Sequence, residues 1–234
     1  MESIQSQFQQ CFIENDRWLM FLKGLGVSFE VTFGALLLGL IIGTLIAIAR
    51  TNYDQNLGKK NPISVVLNGF CKVYVTIIRG TPMMVQLLIM GFVVFSTSRN
   101  LVLIAVLTMG INSGAYVSET IRSGIMSIDK GQMEAGRSLG MKYGTVMRRI
   151  IIPQAVKNIL PALGNEMITL FKDTSLVTVI GLVDITKAAI QVQATTYQAF
   201  MPFIGIAVVY LTVVLIFTKL LEKLERRLRQ SDRH

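Results

Sequence analysis

Histidine is almost missing from this chain: of 234 residues only His234, the last, is one. A histidine-based catalytic triad or a multi-histidine metal site within the chain is therefore not a workable reading. Cysteine is nearly as scarce. Cys11 and Cys71 fall before and after the first long apolar run, on opposite sides of a membrane in the topology developed below, so no disulfide between them is expected. No G-x-x-x-x-G-K-[ST] pattern occurs, and any ATP hydrolysis would belong to a partner that binds ATP and Mg; no cofactor is expected in this chain. Charge is sparse as well. Charged residues make up 16% of the chain against 52% hydrophobic, too apolar for an ordinary soluble domain. The composition reads as an all-α, polytopic membrane protein.

The opening stretch, MESIQSQFQQCFIENDRW, lacks the lysines and following apolar core of a secretory signal and is not read as one. Phe8, Phe12, Trp18, Leu19 and Leu22 recur at roughly helical spacing, which predicts an amphipathic helix over residues 1–23, lying at the interface with Trp18 as anchor. The net charge of +9 could suggest nucleic acid, but the basic residues cluster between apolar runs instead of forming a phosphate-binding stripe. That clustering is the positive-inside pattern, and no nucleic-acid partner is expected.

Five spans are predicted. Glu30 to Arg50 encloses an uncharged run long enough to cross a hydrocarbon core of about 30 Å; Gly34, Gly39 and Gly43 within it read as close-packing points between helices. Arg50 to Arg79 holds five basic residues (Arg50, Lys59, Lys60, Lys72, Arg79) against Asp54 and reads as cytoplasmic, with an apolar elbow helix from Pro62 to Ile78 along or into the interface. The second span, Met83 to Ser98, begins at Pro82, where a missing N–H costs nothing. The third runs from Leu101 to Ile121. The fourth, Leu160 to Val183, is the least hydrophobic, and the fifth runs from Pro202 to Thr218. Three inner segments would hold five, seven and six basic residues, 18 of the 23 in the chain, which five spans with the N-terminus out and the C-terminus in satisfy. Residues 24–227 then form the transmembrane domain and 228–234 a cytoplasmic tail.

Polar residues inside the spans are candidate ligands. Asn112, Tyr116 and Glu119 share one face of the third span, and Glu166, Thr169 and Asp173 one face of the fourth. A carboxylate there is costly unless paired or facing a wet cavity. Glu119 and Arg122 at i, i+3 offer a purely structural alternative. Lys172 could neutralise Asp173 or snorkel, although adjacent helical residues point about 100° apart.

The segment Glu134 to Pro153, EAGRSLGMKYGTVMRRIIIP, is the most polar and basic part of the chain and is flanked by apolar runs. Gly136 and Gly140, four apart, would mark one helical face open to close approach, and Pro153 would break the chain. On charge alone it reads as an interfacial helix among lipid head groups. It also resembles the E-A-A, three residues, G, nine residues, I-x-L-P signature of permease subunits in bacterial ABC importers. Glu134, Ala135, Gly140, Ile150 and Pro153 match, while Gly136 and Ile152 depart by small or apolar replacement. The R-G-T-P of Arg79 to Pro82, the stretch NSGAYVSETIRSGI and the K-D-T-S-L beginning at Lys172 are similar to the polar amino acid subfamily of those permeases.

This resemblance implies a type I importer permease in a bacterial plasma membrane. It implies a coupling helix within residues 129–153, where Glu134, Ala135, Gly136 and Gly140 would meet the ATPase. It also implies two cytoplasmic ATPase subunits, a second permease copy, simplest as a homodimer, and an extracytoplasmic binding protein. Thr81, Asn112, Glu119, Thr169 and Asp173 would line the path, with a polar or basic amino acid as cargo: arginine, glutamine, histidine or lysine. An intramembrane hydrolase is disfavoured by the missing internal histidine. An ion-coupled secondary transporter would use the same intramembrane acids but would need no ATPase.

Overall fold

A computed structural model describes residues 4–55 and 61–230. Lys59 and Lys60, counted toward the first inner segment, and Arg233 and His234 in the tail lie outside the described residues. The described residues are mostly helical, with no strand among them. After the short α1 (Ile4–Phe8) and a π turn Gln9–Ile13, α2 runs from Arg17 to Gln55. Trp18, Leu19 and Leu22 thus open a 39-residue helix; the segment read as a separate interfacial helix is divided between it and the short turns before it. In its first half two buried hydroxyls are satisfied locally. Ser28 donates to the carbonyl of Gly24 and Thr32 to that of Ser28, so neither is left unpaired in an environment without water.

Then come α3 (Pro62–Gly80), α4 (Met83–Ile89) continued by the π turn Met90–Val94, and α5 (Leu101–Met126). Next are α6 (Lys130–Ser138), α7 (Tyr143–Val146) and the π turn Met147–Ile151. Last come α8 (Ile152–Asp173), a 3-10 stretch Thr174–Ile180, α9 (Ile185–Thr196) and α10 (Phe200–Gln230).

Among the described residues four helices are long and apolar enough to cross a membrane: Ile4–Asp54, Pro62–Gly80, Leu101–Met126 and Phe200–Leu228. A fifth span results if Tyr143–Ile180 and Ile185–Thr196, bent by 50°, count as one. The number agrees with expectation; the membership does not. The apolar helix Met83–Val94 covers only about 18 Å at 1.5 Å per residue. Pro62–Gly80, read as an elbow, is itself of span length. Its exposed residues include Ile63, Val66, Phe70, Val73 and Ile77, whereas its buried side holds Asn68, Cys71 and Val75. An outward apolar face suits lipid tails.

One further expectation is corrected. Pro153 does not break the chain, because it sits in the first turn of α8 and the wider π turn before it accommodates the missing donor. The residues after Asp184 form the helix α9. Asp184, fully buried, caps it by accepting from the backbone N–H of Thr186 and Lys187.

The chain divides into two units, each with its own packing. One comprises the residues up to Leu37, Thr81–Gly110 and Met167–Thr218. Its core gathers Val31, Leu87, Ile104, Met109, Leu170 and Val177, and a second cluster sets Ile185, Ala188 and Val192 of α9 against Cys11 and Phe21. The other comprises Leu38–Gly80, Ile111–Glu166 and the residues from Lys219 onward. Here α2 and α5 approach at the glycines. A Cβ on Gly39 would lie 2.8 Å from Ser113 Oγ, and one on Gly43 2.6 Å from Val117 Cγ1. Gly34 plays the same part within the first unit, 2.9 Å from Val106. All three serve as the predicted close-packing points.

Candidate functional site

The acid of the third predicted span is engaged from two sides. Glu119 accepts from Arg50 through one carboxylate oxygen, and its other oxygen lies 3.5 Å from Arg122 Nε. Arg122 in turn holds Asp54 at 2.7 Å. Arg50 and Asp54 are at i, i+4 near the end of α2, and Glu119 and Arg122 at i, i+3 near the end of α5. The four residues therefore form an alternating chain of charges joining the two helices. Arg50 is only 8% exposed, and a guanidinium so buried needs a carboxylate partner. The sequence pairing of Glu119 with Arg122 is present. Arg50, read as a loop charge, is the partner that sequence reasoning missed, 69 positions away with no local signal.

Asn112, on the same helix, is buried in this unit. One residue on, Ser113 donates to Glu166 Oε1 at 2.8 Å, so that carboxylate too has a structural partner. Tyr74 of α3 donates to the carbonyl of Ile111, and Arg79 stands 5.0 Å over the Tyr116 ring.

Thr81, Thr169 and Asp173 belong to the other unit. Thr81 follows the helix break at Gly80, with Pro82 as the N-cap of α4. Gln86, a turn further on and buried, donates to the Thr81 hydroxyl at 2.8 Å and to its carbonyl at 3.2 Å, fixing the break. Thr169 is exposed on α8. Asp173 is the last residue of α8, where the helix tightens to 3-10 form, and is partly buried. Among the described residues it makes no ion pair, and neighbouring Lys172 points outward. The five candidates thus divide between the units: Asn112 and Glu119 in one, Thr81, Thr169 and Asp173 in the other.

The basic segment is built as a bracket. Asp129 caps α6 by accepting from the backbone N–H of Gly131. Gln132 and Gln154 exchange amide hydrogen bonds, which pins α6 to the start of α8. Glu134, Ala135 and Arg137 are exposed, and Leu139 is 83% exposed, an apolar knob at the tip. The two glycines do not share a helical face. Gly136 is buried, where a Cβ would meet Val146 at 2.8 Å. Gly140 lies beyond the helix at φ +82, with Met141 N–H returning to the Gly136 carbonyl. It ends α6 in the left-handed conformation that glycine adopts without strain.

Residues 39–230 match the family described as binding-protein-dependent transport system inner membrane component. The chain belongs to that family. Among curated relatives it is 37% identical over 214 residues to the arginine transport system permease protein ArtQ of Bacillus subtilis, covering 90% of this chain and 93% of that one. With the glutamine transport system permease protein GlnP of Escherichia coli K12 it shares 34% identity at the same coverage. A crystal structure of an amino acid ABC transporter with histidines contains a chain 40% identical, with TM-score 0.82, matching 97% of this chain and 99% of that one. The methionine transporter MetNI, at 18% identity and TM-score 0.76, shares the fold.

This permease is therefore an all-helical inner membrane transport subunit with the fold of type I importers. Family membership implies a substrate-binding protein and an ATPase as partners. The match spans the bracket around α6 and all five candidate path residues. It lends nothing to the ion-coupled reading.

Proposed function

We propose that this permease forms the membrane path of an ATP-driven importer for a polar or basic amino acid, of the arginine, glutamine, histidine or lysine kind. The observation that carries the reading is the exposed, capped α6 bracket, occurring in a chain alike over nine-tenths of its length to arginine and glutamine permeases. Two copies of the permease assemble with two ATPase subunits, which hold ATP and Mg and carry out hydrolysis. A binding protein delivers the amino acid from outside. The N-terminus lies outside and the C-terminus inside, in keeping with the basic residues around α6 and in the last turns of α10.

Closure of the ATPase dimer presses on Glu134, Ala135 and the Leu139–Gly140 tip. Because Gln132 grips Gln154 and Gly136 lets Val146 seat closely, α6 does not slide freely, and the push is delivered to the base of α8. This helix is 22 residues long, about 33 Å, and carries Thr169 and Asp173 toward its far end. Tilting it changes what those residues present to the cargo, which is alternating access. Asp173 receives the positive group of the amino acid, with Thr81 and Thr169 as polar lining. Glu119, held by two arginines, acts as structure and leaves that task to Asp173.

Co-expression with the ATPase and binding protein, followed by reconstitution into vesicles without an ion gradient, tests the reading. ATP-dependent accumulation of an amino acid is the expected result. Uptake that requires a proton or sodium gradient, with no ATPase co-purifying, would overturn it.

A further inference from the structure

The last turns of α10 carry a charge arrangement that transport itself does not use. From Phe200 to Thr218 the chain has no charged residue, a run that covers about 28 Å as helix and so about one hydrocarbon thickness. Lys219 is the first charge after it. Lys223, Arg226 and Arg227 follow at i+4, i+7 and i+8, and all four are exposed. With successive residues about 100° apart, the four cations fall within an arc of about 100° of the helix surface.

The packing side of these turns lies on the far side of the helix. Leu221, Glu225 and Leu228 are half-buried there, and Leu221 seats against Gly164 of α8, where a Cβ would collide with it. Both acids of the segment, Glu222 and Glu225, lie outside the basic arc. Among the described residues none of the four cations forms an ion pair. Like charges at i, i+4, as in Lys219 with Lys223 and Lys223 with Arg227, weaken a helix on their own. The arrangement becomes favourable when an anion lies against it.

The surroundings of the arc select the anion. By the register of α10, the arc prolongs the exposed apolar line of Val208, Leu215 and Ile216, and Leu220 and Leu224 are exposed at its edge. A surface that is apolar for one hydrocarbon thickness and then cationic matches an acyl chain followed by a phosphate. An acidic face on another protein would match the charge but leave the apolar line unused. The headgroup layer on one side of a bilayer is about 5 to 7 Å deep. Lys219 and Lys223, about 6 Å apart along the axis, fit within it, and Arg226 and Arg227 lie at its outer edge.

We propose that Lys219 and Lys223, backed by Arg226 and Arg227, bind the phosphate of an anionic phospholipid and so fix the end of α10 while its opposite side seats on α8. The inference is independent of the cargo and of the energy source, since it requires only that α10 crosses a membrane.

The test uses the complex of permease and ATPase, purified in mild detergent and stripped of lipid. It is titrated with phosphatidylglycerol or with phosphatidylcholine of the same chain length, and bound lipid is counted by native mass spectrometry. The wild type should prefer phosphatidylglycerol by about 25-fold at low salt, roughly fivefold for each lysine in the headgroup layer, and the preference should shrink as salt rises. Lys219→Gln with Lys223→Gln should abolish it. The exchange Glu222→Lys with Lys223→Glu keeps composition and net charge but puts an acid inside the arc, and it should abolish the preference too. A preference that survives the exchange would reduce the effect to bulk charge and overturn the proposal, as would a wild type that binds both lipids alike. Displacement of phosphatidylglycerol by equal inorganic phosphate would make this a free-phosphate site and also overturn it. Variants that keep the lipid preference but no longer co-purify with the ATPase would assign the arc to that partner instead. Should the exchanged subunit lose helix content by circular dichroism, Lys223→Gln alone decides: a loss of about fivefold is expected, and no loss overturns the site.

Discussion

Replacing Glu119 by Gln should destabilise this permease far more than replacing Asp54 by Asn, although both changes remove one carboxylate from the same charge chain. The Arg50 and Glu119 side chains are 9% and 23% exposed, while Arg122 and Asp54 are 30% and 32% exposed. Removing one partner of a fully buried pair costs about 3 to 5 kcal/mol, because the remaining charge is stranded. Glu119 is about a quarter exposed and Gln still offers one neutral acceptor, so about 2 to 4 kcal/mol is expected for Glu119→Gln. After Asp54→Asn, Arg122 keeps Glu119 and reaches solvent, and the loss should stay near the 0 to 1 kcal/mol of surface pairs. Unfolding of the purified subunit in graded mixtures of SDS and mild detergent, followed by far-UV circular dichroism, gives both values. The paired change Arg50→Met with Glu119→Leu should recover most of the loss, because an apolar pair of similar volume leaves no stranded charge. Equal effects of the two single changes, or a double variant no better than Glu119→Gln, would refute the assignment of a buried, structural pair.

Asp173→Asn should lower ATP-driven uptake by an amount equivalent to roughly 1 to 3 kcal/mol while the subunit still assembles with the ATPase; transport at the wild-type rate with unchanged preference would remove Asp173 from the path. Gly140 has open space around it but φ +82, so Gly140→Asn, which tolerates the left-handed region, should keep ligand-stimulated hydrolysis and Gly140→Val should lose it; equal activity of both would show that the cap conformation is irrelevant to coupling. A cysteine at Gly144 should be shielded from an impermeant thiol reagent in intact cells and one at Ala194 should react, and labelling of Gly144 from outside would invert the orientation.

Composition and apolar runs made the fold class legible, and spaced local motifs made the family legible, because both are recorded in contiguous sequence. Glycine spacing in α2 also read correctly, since a missing side chain has the same consequence wherever a second helix approaches. What escaped was pairing between distant segments. Nothing in the sequence around Arg50 points to Glu119, 69 positions away, and Ser113 with Glu166 is equally silent. The glycines at 136 and 140 misled for another reason: spacing of four implies one helical face only if the helix continues. Here it ends, and the second glycine does the ending. The elbow and the second span were exchanged because hydropathy alone cannot separate a span-length helix from two shorter pieces around a Gly-Thr-Pro break.

The same exchange changes what the charge asymmetry can be asked to support. Of the five basic residues assigned to the first inner segment, Arg50 is buried against Glu119 and Arg79 lies against Tyr116, so both hold their places through contacts made in the folded bundle. A charge with a side-chain partner in the fold has lost much of its solvation penalty for leaving the cytoplasm and is a poor marker of side. The residues around α6 are different. Lys130, Arg137, Lys142, Arg148 and Arg149 are exposed on a helix, a turn and a second helix start, and among the described residues none of them forms an ion pair with a carboxylate. Their charges lie on the exposed surface without a carboxylate partner, which is the condition under which the positive-inside rule applies. The proposed orientation therefore rests on this segment and on Lys219, Lys223, Arg226 and Arg227 of α10. Thiol labelling at Gly144, at the heart of the first group, is the measurement with the most power to overturn it.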